Sequence, residues 1–133
     1  MKKLVLALGA VLLVASPAVA ATAPVPTPST GTHIQLTVTR ATDGVESTSS
    51  VWLDCPSRRG TGHPHRESAC ADVSAADGDF DRLPGRTTAI CSNDSRTTTV
   101  TAHGTHGLRE VDWERTFTND CALTLATGKL FDF

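Results

Sequence analysis

Residues 111–121 decide the fold, and they read Val111-Asp112-Trp113-Glu114-Arg115-Thr116-Phe117-Thr118-Asn119-Asp120-Cys121. From Leu108 to Phe117 the odd-numbered positions Val111, Trp113, Arg115 and Phe117 alternate with Asp112, Glu114 and Thr116. A period of two is typical of a strand with one buried face. The segment from Asn119 to Thr127 follows directly, and we predict it as a short helix.

The flanking sequence predicts more strands and one further helix. Strands are expected over residues 33–40, 49–54, 96–103 and 129–133, with a turn at Asp43-Gly44 and a hairpin connection over residues 103–107. The alanine-rich stretch from Glu67 to Ala76 is predicted as a helix that ends at Asp77-Gly78. Because helices do not alternate regularly with strands, the pattern indicates an α+β fold with an antiparallel sheet.

The first 20 residues have the organisation of a secretory signal peptide. Lys2 and Lys3 precede an apolar run, and Ala18-Val19-Ala20 supplies small residues at the cleavage positions. The run falls short of the roughly 20 apolar residues of a membrane span, which disfavours the alternative of a retained anchor. We expect a secreted, extracellular protein without membrane attachment, with a flexible Pro- and Thr-rich arm over residues 21–32 and one domain over residues 33–133.

Charge argues against nucleic acid as a partner. The chain has 12 basic and 14 acidic residues, and removal of residues 1–20 leaves 10 basic residues and a net charge of −4. The remaining basic residues are scattered, and only Arg58 and Arg59 are adjacent. Binding to phosphate groups requires a clustered positive surface, which this distribution does not supply.

The four cysteines, Cys55, Cys70, Cys91 and Cys121, all follow the signal peptide. An even number in a short exported chain predicts two disulfides. Four cysteines allow three pairings, and spacing alone does not choose among them. A zinc site is the rival interpretation, but no Cys-x-x-Cys pair is present and export favours oxidation.

Other chemistries find little support in the sequence. Two histidine pairs, His63 with His65 and His103 with His106, would have to converge and gain a third ligand to bind a metal, so we interpret them as solvated turn residues. No Gly-x-Ser-x-Gly motif marks a nucleophile, and no evident cleft suits a pair of catalytic carboxylates. We predict no metal, no cofactor and no enzymatic activity.

Several motifs together resemble the Streptomyces subtilisin inhibitor family. They are Gly62-His63-Pro64, Ala69-Cys70-Ala71-Asp72-Val73, Gly78-Asp79 with Leu83, the stretch 111–121, and Leu130-Phe131-Asp132-Phe133. The resemblance implies a five-stranded antiparallel sheet with two helices on one face, and the disulfides Cys55–Cys70 and Cys91–Cys121. It also implies a homodimer formed through the sheets, and substrate-like inhibition of an extracellular, subtilisin-like serine protease.

The same resemblance assigns roles to a polar loop that follows the third cysteine. In the family the scissile bond follows the second residue after that cysteine, which here is the bond between Asn93 and Asp94. The neighbouring subsites would then be filled by Ile90, Ser92 and Ser95. Asn119 matches a family position whose side chain supports the loop from behind.

The loop departs from the family where specificity is decided. Family loops typically have Pro at the position of Ser92 and Met, Lys or Arg at that of Asn93. They also carry Tyr-Asp-Pro where this chain has Ser95-Arg96-Thr97. Proline restricts φ, so its absence predicts a looser loop. The alternative hypothesis is therefore an inhibitor-like protein with a lost or altered target, such as another exported enzyme or an asparagine-preferring protease.

Overall fold

The computed structural model describes residues 30–56, 62–88, 90–92 and 96–133. Its elements in chain order are β1 (Thr32–Thr42), β2 (Val45–Cys55), α1 (Arg66–Ala75), a short 3-10 turn (Phe80–Arg82), β3 (Thr98–His106), β4 (Arg109–Phe117) and α2 (Asp120–Thr127). All neighbouring strands are antiparallel, and the order across the sheet is β2-β1-β3-β4. The predicted α+β class is confirmed. No helix in the described ranges is both long and apolar enough to cross a membrane.

Two tight hairpins set the register of the sheet. The β1–β2 hairpin turns at Asp43 and Gly44, whose φ angles of 51° and 79° suit a turn that follows the right-handed twist of the strands. The β3–β4 hairpin turns at Gly107 and Leu108. These two turns lie at opposite ends of the sheet, because β1 and β3 pair from Thr32 with His106 to Arg40 with Thr98.

Strict alternation along the strands creates the core. Ile34, Leu36 and Val38 of β1 are fully buried, and the residues beside them across the sheet are Leu53 of β2 and Val100, Ala102 of β3. We call this side of the sheet the core face. Ala69 and Val73 of α1, Leu123 of α2, and Phe80, Leu130 and Phe131 from the connecting segments complete one hydrophobic cluster.

The predicted strand over residues 129–133 is wrong. Leu130 and Phe131 lie in a turn after α2 and are 0% and 2% exposed. Consecutive side chains of a strand point to opposite faces, so a sheet with one solvated face cannot bury both. Turn hydrogen bonds from Leu130 N to Thr127 O and from Asp132 N to Lys129 O replace strand pairing. Within the described residues the sheet therefore has four strands, and a fifth is not among them.

The interpretation of His63 as a solvated turn residue is also wrong. This side chain is 4% exposed, and its Nε2 donates to the Leu130 carbonyl at 2.7 Å while Nδ1 accepts from His65 N at 3.0 Å. Burial lowers the pKa of His63, so the neutral ring that these two hydrogen bonds require is favoured. His63 thus anchors the end of the chain onto the core. No group of three or more potential metal ligands is brought together in the described part of the chain.

Gly104 provides a stringent test of this register. It lies opposite Ile34 with φ 151°, and a Cβ added there would lie 2.1 Å from the His33 carbonyl oxygen. Gly107 also has a positive φ, 59°, but a Cβ there would meet nothing within 4 Å. We expect Gly107→Ala to cost about 1 kcal/mol of unfolding free energy, and Gly104→Ala at least about 2 kcal/mol more, measured by urea unfolding. Equal losses in the two variants would contradict the pairing of Gly104 with Ile34.

Candidate functional site

The segment before the predicted reactive bond is tied down by a disulfide. Cys91 is bonded to Cys121 of α2 with a Cα–Cα distance of 5.5 Å, and Cys55 to Cys70 at 5.9 Å, which is the pairing implied by the resemblance. Ile90, directly before Cys91, has a fully exposed side chain at 102% relative accessibility, and Ser92, directly after it, is exposed. The backbone is therefore anchored at a point where its neighbours face solvent.

Asn119 adds a second attachment to the same segment. Its side-chain Oδ1 accepts from Ala122 N at 2.8 Å and so caps α2, while its Nδ2 donates to the Ser92 carbonyl at 3.2 Å. Asparagine suits this position because its amide offers both an acceptor and a donor. The residue is 9% exposed, and both hydrogen bonds are partly buried.

Asp120 attaches the segment that follows residues 93–95 to the start of α2. Its Oδ1 accepts from the hydroxyl of buried Thr98 at 2.8 Å, and both carboxylate oxygens accept from Arg40 Nε at 3.1 Å. The carboxylate also occupies the first turn of α2, where the helix dipole favours negative charge. One residue before Thr98, the Thr97 carbonyl accepts from Ala41 N at 3.0 Å, which extends the pairing with β1.

Three consecutive residues thus hold both sides of the candidate loop, and we call Asn119, Asp120 and Cys121 the clamp. Cys121 binds Cys91, Asn119 binds Ser92, and Asp120 binds Thr98. All three lie at the start of α2, at the end of the sheet where Phe117 of β4 pairs with Thr98. The two chain segments that lead to and from residues 93–95 are consequently attached to one rigid point.

The predicted site residues are only partly within the described chain. Asn93, Asp94 and Ser95 lie outside the described residues. The structure brings together Cys91, Ser92 and Asn119, with Ile90 adjacent.

Arg40, Thr98 and Asp120 were not singled out from the sequence. A signal for Arg40 existed, because it follows Ile34, Leu36 and Val38 at a core-face position, where an arginine requires a partner.

The opposite side of the sheet, which we call the open face, is acidic. Its carboxylates are Glu46 and Asp54 of β2 and Glu110, Asp112 and Glu114 of β4, and the four strands place no Lys or Arg on it. Two histidines lie among them, with His33 Nδ1 2.6 Å from Asp54 and His103 Nδ1 2.9 Å from Asp112. Trp52, 42% exposed, stacks on His33 at a ring distance of 4.4 Å.

Comparison with known proteins assigns this architecture. The family described as subtilisin inhibitor-like matches residues 30–119. Protease inhibitor SIL-V5 of Streptomyces luteoverticillatus is 35% identical over 94 residues, covering 70% of this chain and 85% of that protein. A subtilisin inhibitor of Streptomyces violaceus is 36% identical over 81 residues, which cover 60% of this chain and just 56% of that protein.

A solved structure has the same fold. It is the crystal structure of Streptomyces caespitosus sermetstatin in complex with Bacillus licheniformis subtilisin, with a TM-score of 0.59 and 26% identity over 77% of this chain and 99% of that one. The named relatives are protease inhibitors and not enzymes. Together with the two disulfides and the α+β fold, these matches show that the chain belongs to the subtilisin inhibitor-like family.

Proposed function

We propose that this protein inhibits an extracellular, subtilisin-like serine protease in a substrate-like manner, with Asn93–Asp94 as the reactive bond. Asn93 would occupy the primary specificity pocket and Asp94 the position just past the scissile bond. Ile90, Ser92 and Ser95 would fill neighbouring subsites. The protein would act outside the cell after removal of residues 1–20, as the sequence predicts.

The single observation that carries the proposal is the clamp. A protease binds an extended segment in its cleft through main-chain hydrogen bonds and a dominant side-chain pocket. A segment whose ends are already held loses little conformational entropy on binding, so more of the contact energy appears as affinity. Asn119, Asp120 and Cys121 hold the two sides of residues 93–95 in this way.

The clamp also bears on the fate of the bound loop. If the protease cuts the Asn93–Asp94 bond, Cys91 and Ser92 remain attached through Cys121 and Asn119, while Thr98 remains attached through Asp120. The new amine and the acyl group then stay close, at a high effective concentration for religation. Such a loop behaves as a persistent inhibitor and not as a consumed substrate.

We further propose that the protein forms a homodimer through its open faces, with both helices on the core face. Ala69, Val73 and Leu123 of the helices belong to the same cluster as Ile34, which supports that placement. The open face carries half-exposed Trp52 and a series of hydroxyl pairs, including Thr37 with Ser50 at 2.9 Å and Thr99 with Thr116 at 2.9 Å. Its five carboxylates without Lys or Arg oppose self-association.

Substitutions of Asn93 test the proposed contact with the specificity pocket. Asparagine fits neither the apolar pocket of subtilisin nor the cation-binding pocket of trypsin well, so Asn93→Met should strengthen inhibition of subtilisin and Asn93→Lys that of trypsin, each by at least about tenfold. Inhibition constants of residues 21–133 and both variants are measured against subtilisin, trypsin, chymotrypsin and an asparagine-specific protease. If neither the parent nor either Asn93 variant inhibits any of these proteases at micromolar concentration, the proposal is refuted. Inhibition of the asparagine-specific protease alone supports the altered-target alternative.

Two substitutions separate the effects of the two hydrogen bonds of Asn119. Asn119→Ser keeps an N-cap for α2 but is too short to reach Ser92, whereas Asn119→Ala removes both functions. We expect both variants to be cleaved at residues 93–94 about fivefold faster than the parent, from the loss of one hydrogen bond. Asn119→Ala should lose about 1 kcal/mol more stability than Asn119→Ser, because it also removes the N-cap. Intact loop and cleaved product are followed by mass spectrometry during incubation with subtilisin.

Asn119→Ser is the decisive variant in that comparison. Faster cleavage in Asn119→Ala alone would assign the effect to fraying of α2, and would remove the Ser92 hydrogen bond from the mechanism.

The salt dependence of self-association tests the proposed dimer. Because the open faces repel one another, salt should screen the repulsion, and the dimer dissociation constant at about 0.5 M salt should lie below that at about 0.01 M. Trp52→Glu adds a charge at the face and should produce monomers in both conditions. Sedimentation equilibrium gives these constants, and monomers of the parent protein at high salt would refute the dimer.

A further inference from the structure

The β1–β2 hairpin extends beyond the rest of the sheet at the end that carries the clamp. β1 and β3 pair as far as Arg40 with Thr98, whereas β1 and β2 pair two positions further, as far as Thr42 with Val45. At about 3.3 Å per residue, the hairpin projects about 7 Å past the first residue of β3. We call residues 41–46 the hairpin tip.

The tip lies directly beside the chain that leaves residues 93–95. Ala41 N donates to the Thr97 carbonyl at 3.0 Å, so the β1 side of the tip is one strand spacing, about 5 Å, from that chain. Val45 lies on β2, one strand spacing further from it. A partner that binds the exposed residues Arg96 and Thr97 in an extended conformation therefore also faces the tip.

Val45 is the apolar residue that the tip exposes. It is 70% exposed, although valine in a strand is usually placed to pack. Its register position opposite Thr42 puts it on the core face, the same face as Arg40, whose guanidinium binds Asp120 of the clamp. Val45 therefore stands on the same side of the sheet as the clamp and at the same end.

Leu108 offers an internal comparison. It is 85% exposed at the turn of the β3–β4 hairpin, where the sheet ends beyond the pairing of Thr32 with His106. Both hairpins thus expose one aliphatic side chain near the turn, but only Val45 lies at the end of the sheet that carries the clamp.

We propose that the hairpin tip is a second contact surface for the inhibited protease, with Val45 packing against an apolar patch beside the cleft on the side that binds the residues after the scissile bond. This inference rests on the proposed inhibition through residues 93–94. It deepens that proposal, because part of the affinity and specificity then lies outside the loop. Exposed acidic residues, Asp43 and Glu46, flank Val45, so a patch bordered by basic side chains fits best.

The test compares two matched substitutions in the Asn93→Met protein, with subtilisin as the protease. Burial of one valine side chain is worth about tenfold in affinity, so Val45→Asp should raise the inhibition constant by about tenfold or more, chiefly through faster dissociation. Leu108→Asp should leave it within about twofold, because a distant exposed residue makes no contact. Val45→Thr keeps the side-chain shape and replaces one methyl group with a hydroxyl, so it is a milder change that should fold normally. It should weaken binding several-fold.

The readouts distinguish the two proposals. If the Asn93→Met parent does not inhibit subtilisin, the proposed function fails for this protease. The proposed contact at the hairpin tip then fails as well. If the parent inhibits, and both Val45 variants match Leu108→Asp, only the contact at the hairpin tip is overturned. The rate of cleavage at residues 93–94, measured with enough protease to bind all of each variant, provides a further check. Val45 makes none of the clamp contacts, so under that condition its variants should leave the rate within about twofold.

Discussion

The attachment of a single helix start to both sides of one loop is the constraint on which the rest of this structure depends. Asn119, Asp120 and Cys121 each use a different bond: an amide hydrogen bond to Ser92, a carboxylate contact to Thr98, and a disulfide to Cys91. Hydrogen bonds to charged groups and covalent cross-links are among the stronger restraints available to a small domain. These restraints come from adjacent residues, so both segments that flank residues 93–95 are attached at one place in the fold.

The sheet and its core serve this arrangement by fixing where α2 begins. Phe117 pairs with Thr98, which brings the end of β4 and the start of β3 together, and only Thr118 then separates β4 from the clamp. Arg40 arrives from β1 at the same place and completes the charge pairing of Asp120. Leu123 holds the helix onto the core cluster. The two segments that flank residues 93–95 are thereby attached to the folded core.

The contacts of the clamp bear on the absence of the family's proline at Ser92. Ser92 lacks the φ restriction that proline supplies, but its carbonyl is held by Asn119 at 3.2 Å. The Ser92 carbonyl is therefore attached to the folded domain without a proline. The acidic open face is a similar case, since the dimer that we propose through it must overcome five carboxylates in each chain.

The sequence by itself determined the features that depend on local periodicity and composition. Alternation predicted the strands that became β1, β2 and β4, and β-branched composition predicted β3, although the ends shifted by up to four residues. Alanine content predicted α1 to within one residue. The sequence also supplied the number of disulfides and a helix that starts close to Asn119. Only the tertiary structure decided that Arg40 meets Asp120, 80 residues away, and that Leu130 and Phe131 are buried in a turn. Such contacts depend on which strands are neighbours in the sheet, and no local pattern along the chain encodes that choice.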